Sequence, residues 1–156
     1  MSVRDYEKRD EGALRECVIQ LQDAERDIHP KTADGTKIAE SYVEYLVDIC
    51  SKNRGRILVV EQDGRVVGYT AIQIWDNSEE IHEDSYEYAY ISDLVVLDVY
   101  RGRGFGRVLL EATESFAKQQ GVKLLRIGVL AGNKPVRRMY ENCGFDEHKI
   151  VLEKNI

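Results

Sequence analysis

The stretch RILVVEQDGRVVGYTAIQIW, residues 56–75, limits the fold of this chain more than any other. Two runs rich in Val, Ile, Tyr and Thr flank Asp63 and Gly64. β-Branched and aromatic residues suit a pleated, half-buried surface. Asp-Gly supplies the positive-φ pair that a tight two-residue turn needs. A long antiparallel hairpin is therefore predicted, and the rest of the chain must cover its apolar faces.

The flanking segments supply the covers. VRDYEK (3–8) reads as a short first strand. Between Asp10 and Ala24, the residues Ala13, Leu14, Cys17, Val18 and Leu21 recur at helical spacing. HPKTADGT (29–36) breaks the chain, and a second helix carries Ile38, Tyr42, Val43, Tyr45, Leu46 and Ile49 on one face. YEYAYISDLVVL (86–97) is a third strong strand. Further on, Val108, Leu109, Ala112 and Phe116 form the apolar stripe of another helix. KLLRIGVL (123–130) reads as a strand, NKPVRRMYENCG (133–144) as a short helix and FDEHKIVLEKN (145–155) as a closing strand. The order β-α-α-β-β-β-α-β-α-β predicts a single α/β (α+β) domain over residues 1–156, with a mixed sheet and helices on both faces. Residues 3–99 form its first half and residues 100–156 its second.

Composition narrows the function. With 156 residues, 43% hydrophobic and 32% charged, the chain can bury a core and is too apolar for disorder. A net charge of −6 argues against a general nucleic-acid binder, which would carry a broad basic face. No run reaches the roughly 18 apolar residues of a membrane span, and MSVRDYEKRDEG lacks the apolar core of a signal peptide. Cys17, Cys50 and Cys143 stand far apart without CxxC spacing and read as small apolar residues of a reducing compartment. A cytoplasmic location is expected. His29, His82 and His148 share no metal spacing and read as surface residues, so no metal is expected.

Against that acidic background, YRGRGFGRVLLEA (100–112) concentrates glycine and arginine at the mouth of a helix. Glycine lets backbone come close to a ligand. The first N–H groups of a helix lack internal partners, and the dipole is positive there, so phosphate is a natural complement. Arg101, Arg103 and Arg107 add charge on the same rim. GxGxxG is broken, since Arg107 follows Gly104 by three and Leu109 follows Gly106 by three; no GK[ST] exists. A pyrophosphate loop of another type remains, and a plain glycine turn with solvated arginines is the alternative.

VVLDVYRGRGFGRVLLEA resembles the acetyl-CoA loop of the Gcn5-related N-acetyltransferase (GNAT) superfamily, whose Q/R-x-x-G-x-G/A signature is matched by Arg101, Gly104 and Gly106. NKPVRRMYENCGF resembles the family's second signature at Asn133, Tyr140, Gly144 and Phe145. The resemblance implies a mostly antiparallel central sheet of about six or seven strands. It implies acetyl-CoA as co-substrate and direct transfer of acetyl to an amine. Backbone groups of Leu94, Val95 and Val96 would then pair with the pantetheine arm and the thioester carbonyl. Residues Gly102, Arg103, Gly104, Phe105, Gly106 and Arg107 would hold the pyrophosphate. Asn133 would contact the cofactor, and Tyr140 would protonate the leaving sulfur. Asn133 also suits a helix N-cap ahead of Pro135. Homodimers are common in the family.

AYISDLVV is similar to the fourth strand of polyamine acetyltransferases, where an acidic pair precedes the apolar run. Here Ser92 takes the first position and Asp93 alone is acidic. A water relayed by Ser92, Tyr90 or Asp93 would serve as base, and Asp93 would attract the ammonium form of the acceptor or anchor strand backbone. DNSEEIHEDSYE (76–87) carries six acids and no Lys or Arg, either a solvated loop or a lip that collects cationic amines. The expected function is acetylation of a primary amine on a small cationic molecule. A protein N-terminus or lysine as acceptor, and a non-catalytic acyl-CoA-binding module, are the alternatives.

Overall fold

The computed structural model describes every residue from Met1 to Ile156. Strands β1 (Ser2–Asp5), β2 (Arg56–Gln62), β3 (Arg65–Asp76), β4 (Glu87–Val96) and β5 (Leu125–Ile127) make one sheet in that spatial order. The first four are antiparallel neighbours, and β5 joins β4 in parallel. Asp63 at φ 52° and Gly64 at φ 75° close the β2–β3 hairpin, the positive pair that Asp-Gly promised.

Four helices cover the sheet. Helices α1 (Glu11–Arg26) and α2 (Gly35–Lys52) bury Leu14, Val18, Val43 and Leu46 against Val59, Tyr69, Ala71 and Val95. Leu14 and Leu46 are wholly inaccessible, each contributing roughly 2–3 kcal/mol of apolar burial. On a second set of contacts, α3 (Phe105–Gln119) packs Phe105 and Leu109 onto Val60 and Val67, and Phe116 onto Ile72 and Ile74. Helix α4 (Lys134–Asn142) contributes Tyr140 to a smaller cluster with Ile91 and Leu110. Gly35 is where α2 meets α1: a Cβ there would lie 2.6 Å from Ile19 Cα, so only glycine allows that approach.

Two irregularities shape the open edge of β4. In the β3–β4 ladder, Ala71 faces Asp93 while Ile72 faces Ile91, which leaves Ser92 unpaired as a bulge. Residues two apart on a strand normally share a face, and the extra residue reverses that. Ile91 accordingly packs towards α3 and α4, whereas Asp93 meets tyrosines from α2 and β3. The second irregularity is that β5 pairs with β4 only over Ala89–Ile91. At Gly128, which lies against the Tyr90 hydroxyl, the chain has left the sheet. No strand runs beside the outer edge of β4 from Ser92 to Val96.

The mixed sheet with helices on both faces matches expectation, but it has five strands, not six or seven. The predicted closing strand does not form: residues 145–156 carry no regular structure. Gly144 at φ 90° ends α4, four polar residues follow Phe145, and Ile150, Val151 and Leu152 stand together without the alternation that would bury one face.

Candidate functional site

The glycine-rich turn after β4 exposes an unusual row of donors. Helix α3 begins at Phe105, and its first bond from the turn runs from Val108 N–H to Gly104 O at 3.1 Å. None of the backbone N–H groups of residues 102–107 donates to an acceptor in the protein. Gly104 caps the helix at φ 87° with no side-chain cap. A Cβ on Gly104 or Gly102 would meet nothing within 4 Å, so the space above these backbones is open. Six unpaired donors, a helix dipole and three exposed arginines make an anion cradle. Arg103 lies over the Tyr100 ring at 5.5 Å, while Arg101 spends its Nε on the Val96 carbonyl.

From this cradle the open edge of β4 leads inward. Leu94 and Val96 turn their side chains towards α3 and α4, and Val95 turns to the α1–α2 core. Tyr140 borders the same opening, 7% exposed and packed on Ile91 and Leu110, with the Phe145 ring 5.7 Å away. Burial pushes its phenol well above the usual range, so the group stays protonated at neutral pH. Asn133 occupies the N-cap position of α4, as its spacing suggested, yet its side chain makes no cap bond. That amide is left free for another partner.

Asp93 is the surprise. It is 6% exposed, and its two oxygens accept from Tyr42 at 3.1 Å and Tyr69 at 3.0 Å. Burial pushes its carboxyl up to about 6, the tyrosine hydroxyls oppose that, and the nearby charge of Glu25 adds to it. Ser92 is tied down too: its hydroxyl accepts from Gln73 Nε2 at 2.8 Å and donates to Ala71 O at 3.4 Å. The structure thus sets Asp93 and Ser92 at the bulge of β4, with Tyr42, Tyr69 and Gln73 as partners that sequence patterning did not single out, while Tyr140 packs on Ile91 from the other face of the same strand.

A raised carboxyl has a sign in stability. Between about pH 4 and 6 the folded chain keeps a proton on Asp93 that the unfolded chain has lost. This site therefore makes stability fall as pH rises through that window, by up to about 3 kcal/mol. Asp93→Asn removes that dependence. Thermal unfolding of parent and variant across pH 4–7 is expected to show the parent losing ground relative to the variant. Parallel curves would place the Asp93 carboxyl in an ordinary aqueous setting.

The acidic loop between β3 and β4 is ordered by its own bonds. Asn77, 6% exposed, donates to Asp84 O at 2.8 Å and accepts from Tyr86 N–H at 2.8 Å. Arg126 from β5 bonds Tyr86 and lies over the Tyr86 and Tyr88 rings. Glu79, Glu83 and Asp84 remain exposed, and Glu80 is half-buried. No group of three or more His, Cys, Asp or Glu is placed to hold a metal ion, and no helix is long and apolar enough to cross a membrane. A separate groove between β1, β2 and α3 is lined by Arg4 and Arg56, but Arg4 is held by Asp10 and Glu61 and Arg56 covers Phe116.

Comparison with known proteins agrees with this geometry. The model of the acetyltransferase (GNAT) family matches residues 18–145. A Bacillus subtilis protein, the uncharacterized N-acetyltransferase YycN, is 31% identical over 83 residues, 53% of this chain and 52% of that one. The match therefore spans about half the length of that relative. The uncharacterized N-acetyltransferase YhfO of the same organism is 26% identical over 148 residues, 94% of this chain and 91% of its own. Among solved structures, the tetramutant of the BH1408 protein from Bacillus halodurans superposes with a TM-score of 0.81 at 22% identity, with both chains fully covered.

Proposed function

Since this chain belongs to the acetyltransferase (GNAT) family, we propose that it transfers the acetyl group of acetyl-CoA directly to a primary amine of a small cationic molecule. Members of this family use acetyl-CoA, whose thioester supplies the activated acetyl group. The observation that carries the proposal is the continuity of the site: six unpaired N–H donors at residues 102–107 open onto the unpaired edge of β4, which ends at Tyr140.

The residues divide the work. Residues 102–107 hold the pyrophosphate, with Arg103 and Arg107 neutralising it. The outer edge of β4 at Leu94, Val95 and Val96, which no neighbouring strand covers, aligns the pantetheine arm and polarises the thioester carbonyl. Asn133 contributes its uncapped amide. As the amine nitrogen bonds to the carbonyl carbon and the C–S bond breaks, Tyr140 gives its proton to the departing sulfur. The proton lost by the amine passes through Tyr42 or a water to Asp93, whose elevated carboxyl range suits an acceptor working near neutral pH. Ser92 and Gln73 keep the bulge in register.

Acidic surroundings support a cationic acceptor. Glu79, Glu83 and Asp84 stand exposed on the loop that leads into β4, and the chain carries net charge −6. Acetylation of a protein N-terminus or lysine is the second reading, because a Bacillus subtilis relative carries the name of a putative ribosomal-protein-alanine N-acetyltransferase. Acetyl-CoA-dependent assays with small diamines and with short peptides separate the two. Diamines are expected to give the higher kcat/KM, and a clear preference for peptides would overturn the acceptor class while leaving the family assignment intact.

A further inference from the structure

One charged group near the site has no partner. Glu25 lies in the last turn of α1, half-buried, and forms none of the ion pairs that engage the other half-buried acids, such as Glu11 and Glu61. Burial holds its carboxyl above the usual range, and His29 one turn later only partly offsets this. Half-burial weakens its hydration and no cation of the protein fully compensates, so a cationic group that reaches it is favoured.

The fold places it at the opening. Ile28 in the turn after α1 packs so closely on Gly132 that a Cβ there would sit 2.8 Å from its Cγ2. This contact draws the end of α1 to the segment that leads into Asn133 and α4. The charge of Glu25 bears on Asp93, Tyr42 and Tyr140, and it is the strongest charged influence on Tyr140. Asp93, in contrast, lies beneath two tyrosine hydroxyls with both oxygens engaged.

We propose that Glu25, and not Asp93, is the carboxylate that receives the acceptor's ammonium group beside Tyr140, and that it thereby selects amines that arrive charged. This rests on the acetyl-CoA reading above. It gives the two acids different tasks: Glu25 captures the ammonium, and Asp93 accepts its proton through Tyr42.

The test uses two CoA derivatives of equal length, S-(3-aminopropyl)-CoA and S-butyl-CoA, which differ in one terminal ammonium against one methyl. The CoA arm delivers that terminus to the site, so no acceptor need be known and no turnover is required. By calorimetry, the parent is expected to bind the ammonium form about tenfold or more tightly, as for a hydrogen-bonded charge partner. Glu25→Gln is expected to bring the two within about twofold while leaving S-butyl-CoA affinity unchanged. Glu25→Asp should keep part of the preference, and Asp93→Asn most of it. Equal affinities in the parent, or a preference that survives Glu25→Gln, would overturn the proposal. So would a loss of S-butyl-CoA affinity in Glu25→Gln, which would mark a structural role. If the parent binds neither compound, the acetyl-CoA reading itself has failed and this inference falls with it.

Discussion

Tyr140→Phe is expected to lower kcat by about 10²-fold or more, the range for loss of a general acid, with CoA affinity and thermal stability close to those of the parent. The ring keeps its contacts with Ile91, Leu110 and Phe145, because the substitution removes one oxygen and no carbon. That oxygen makes no hydrogen bond within the protein and is not sealed from solvent, so the substitution breaks no internal bond. A structural tyrosine would respond in the opposite way, with stability moving and kcat unchanged. Steady-state kinetics and calorimetry on the same preparation distinguish the two outcomes. A pre-steady-state measurement guards against slow product release hiding the chemical step.

Gly104→Val should remove CoA binding by about 10²-fold or more while the domain stays folded. Two causes act together. At φ 87° a β-branched residue is strained by roughly 1–3 kcal/mol, which turns the N–H groups of residues 104–107 away from a common point. The valine also fills the open space over the turn, where no protein atom lies within 4 Å of the new Cβ and a phosphate would otherwise sit. Losing two charge-assisted hydrogen bonds at about 1.5–3 kcal/mol each accounts for the size of the effect. Gly104→Ala shares much of the backbone strain with less bulk and is expected to fall between. Undiminished CoA affinity in a folded Gly104→Val protein would dissociate this turn from the pyrophosphate.

Local chemistry made most of the fold legible. Asp63-Gly64 marked a hairpin because only a positive-φ pair closes one so tightly, and the helical stripes of α1, α2 and α3 appear with ends close to those expected. The anion cradle could be read because glycine, arginine and a helix start are consecutive in the chain. Sequence could not show the Ser92 bulge, since it depends on the register against β3 and nothing within YEYAYISDLVV fixes that register. The bulge is what turns Asp93 towards Tyr42 and Tyr69, residues 51 and 24 positions distant. Nine tyrosines in the chain gave no means of choosing those two. Glu25 escaped for a similar reason: on a helix end it looks solvated, and only the Ile28–Gly132 contact brings it to the site. The closing strand did not form because Ile150, Val151 and Leu152 are consecutive, without the alternation that would commit one face to the sheet, and all three stay exposed.

The most direct measurement is amine-dependent release of free thiol from acetyl-CoA, with the acylated product weighed by mass spectrometry. Transfer through this site predicts that thiol appears in step with a gain of one acetyl group on an added cationic amine, that Tyr140→Phe slows it, and that no acetyl accumulates on the protein. Tight CoA binding with no thiol release across a broad set of small amines and peptides would contradict the account, and would make the chain an acyl-CoA-binding module.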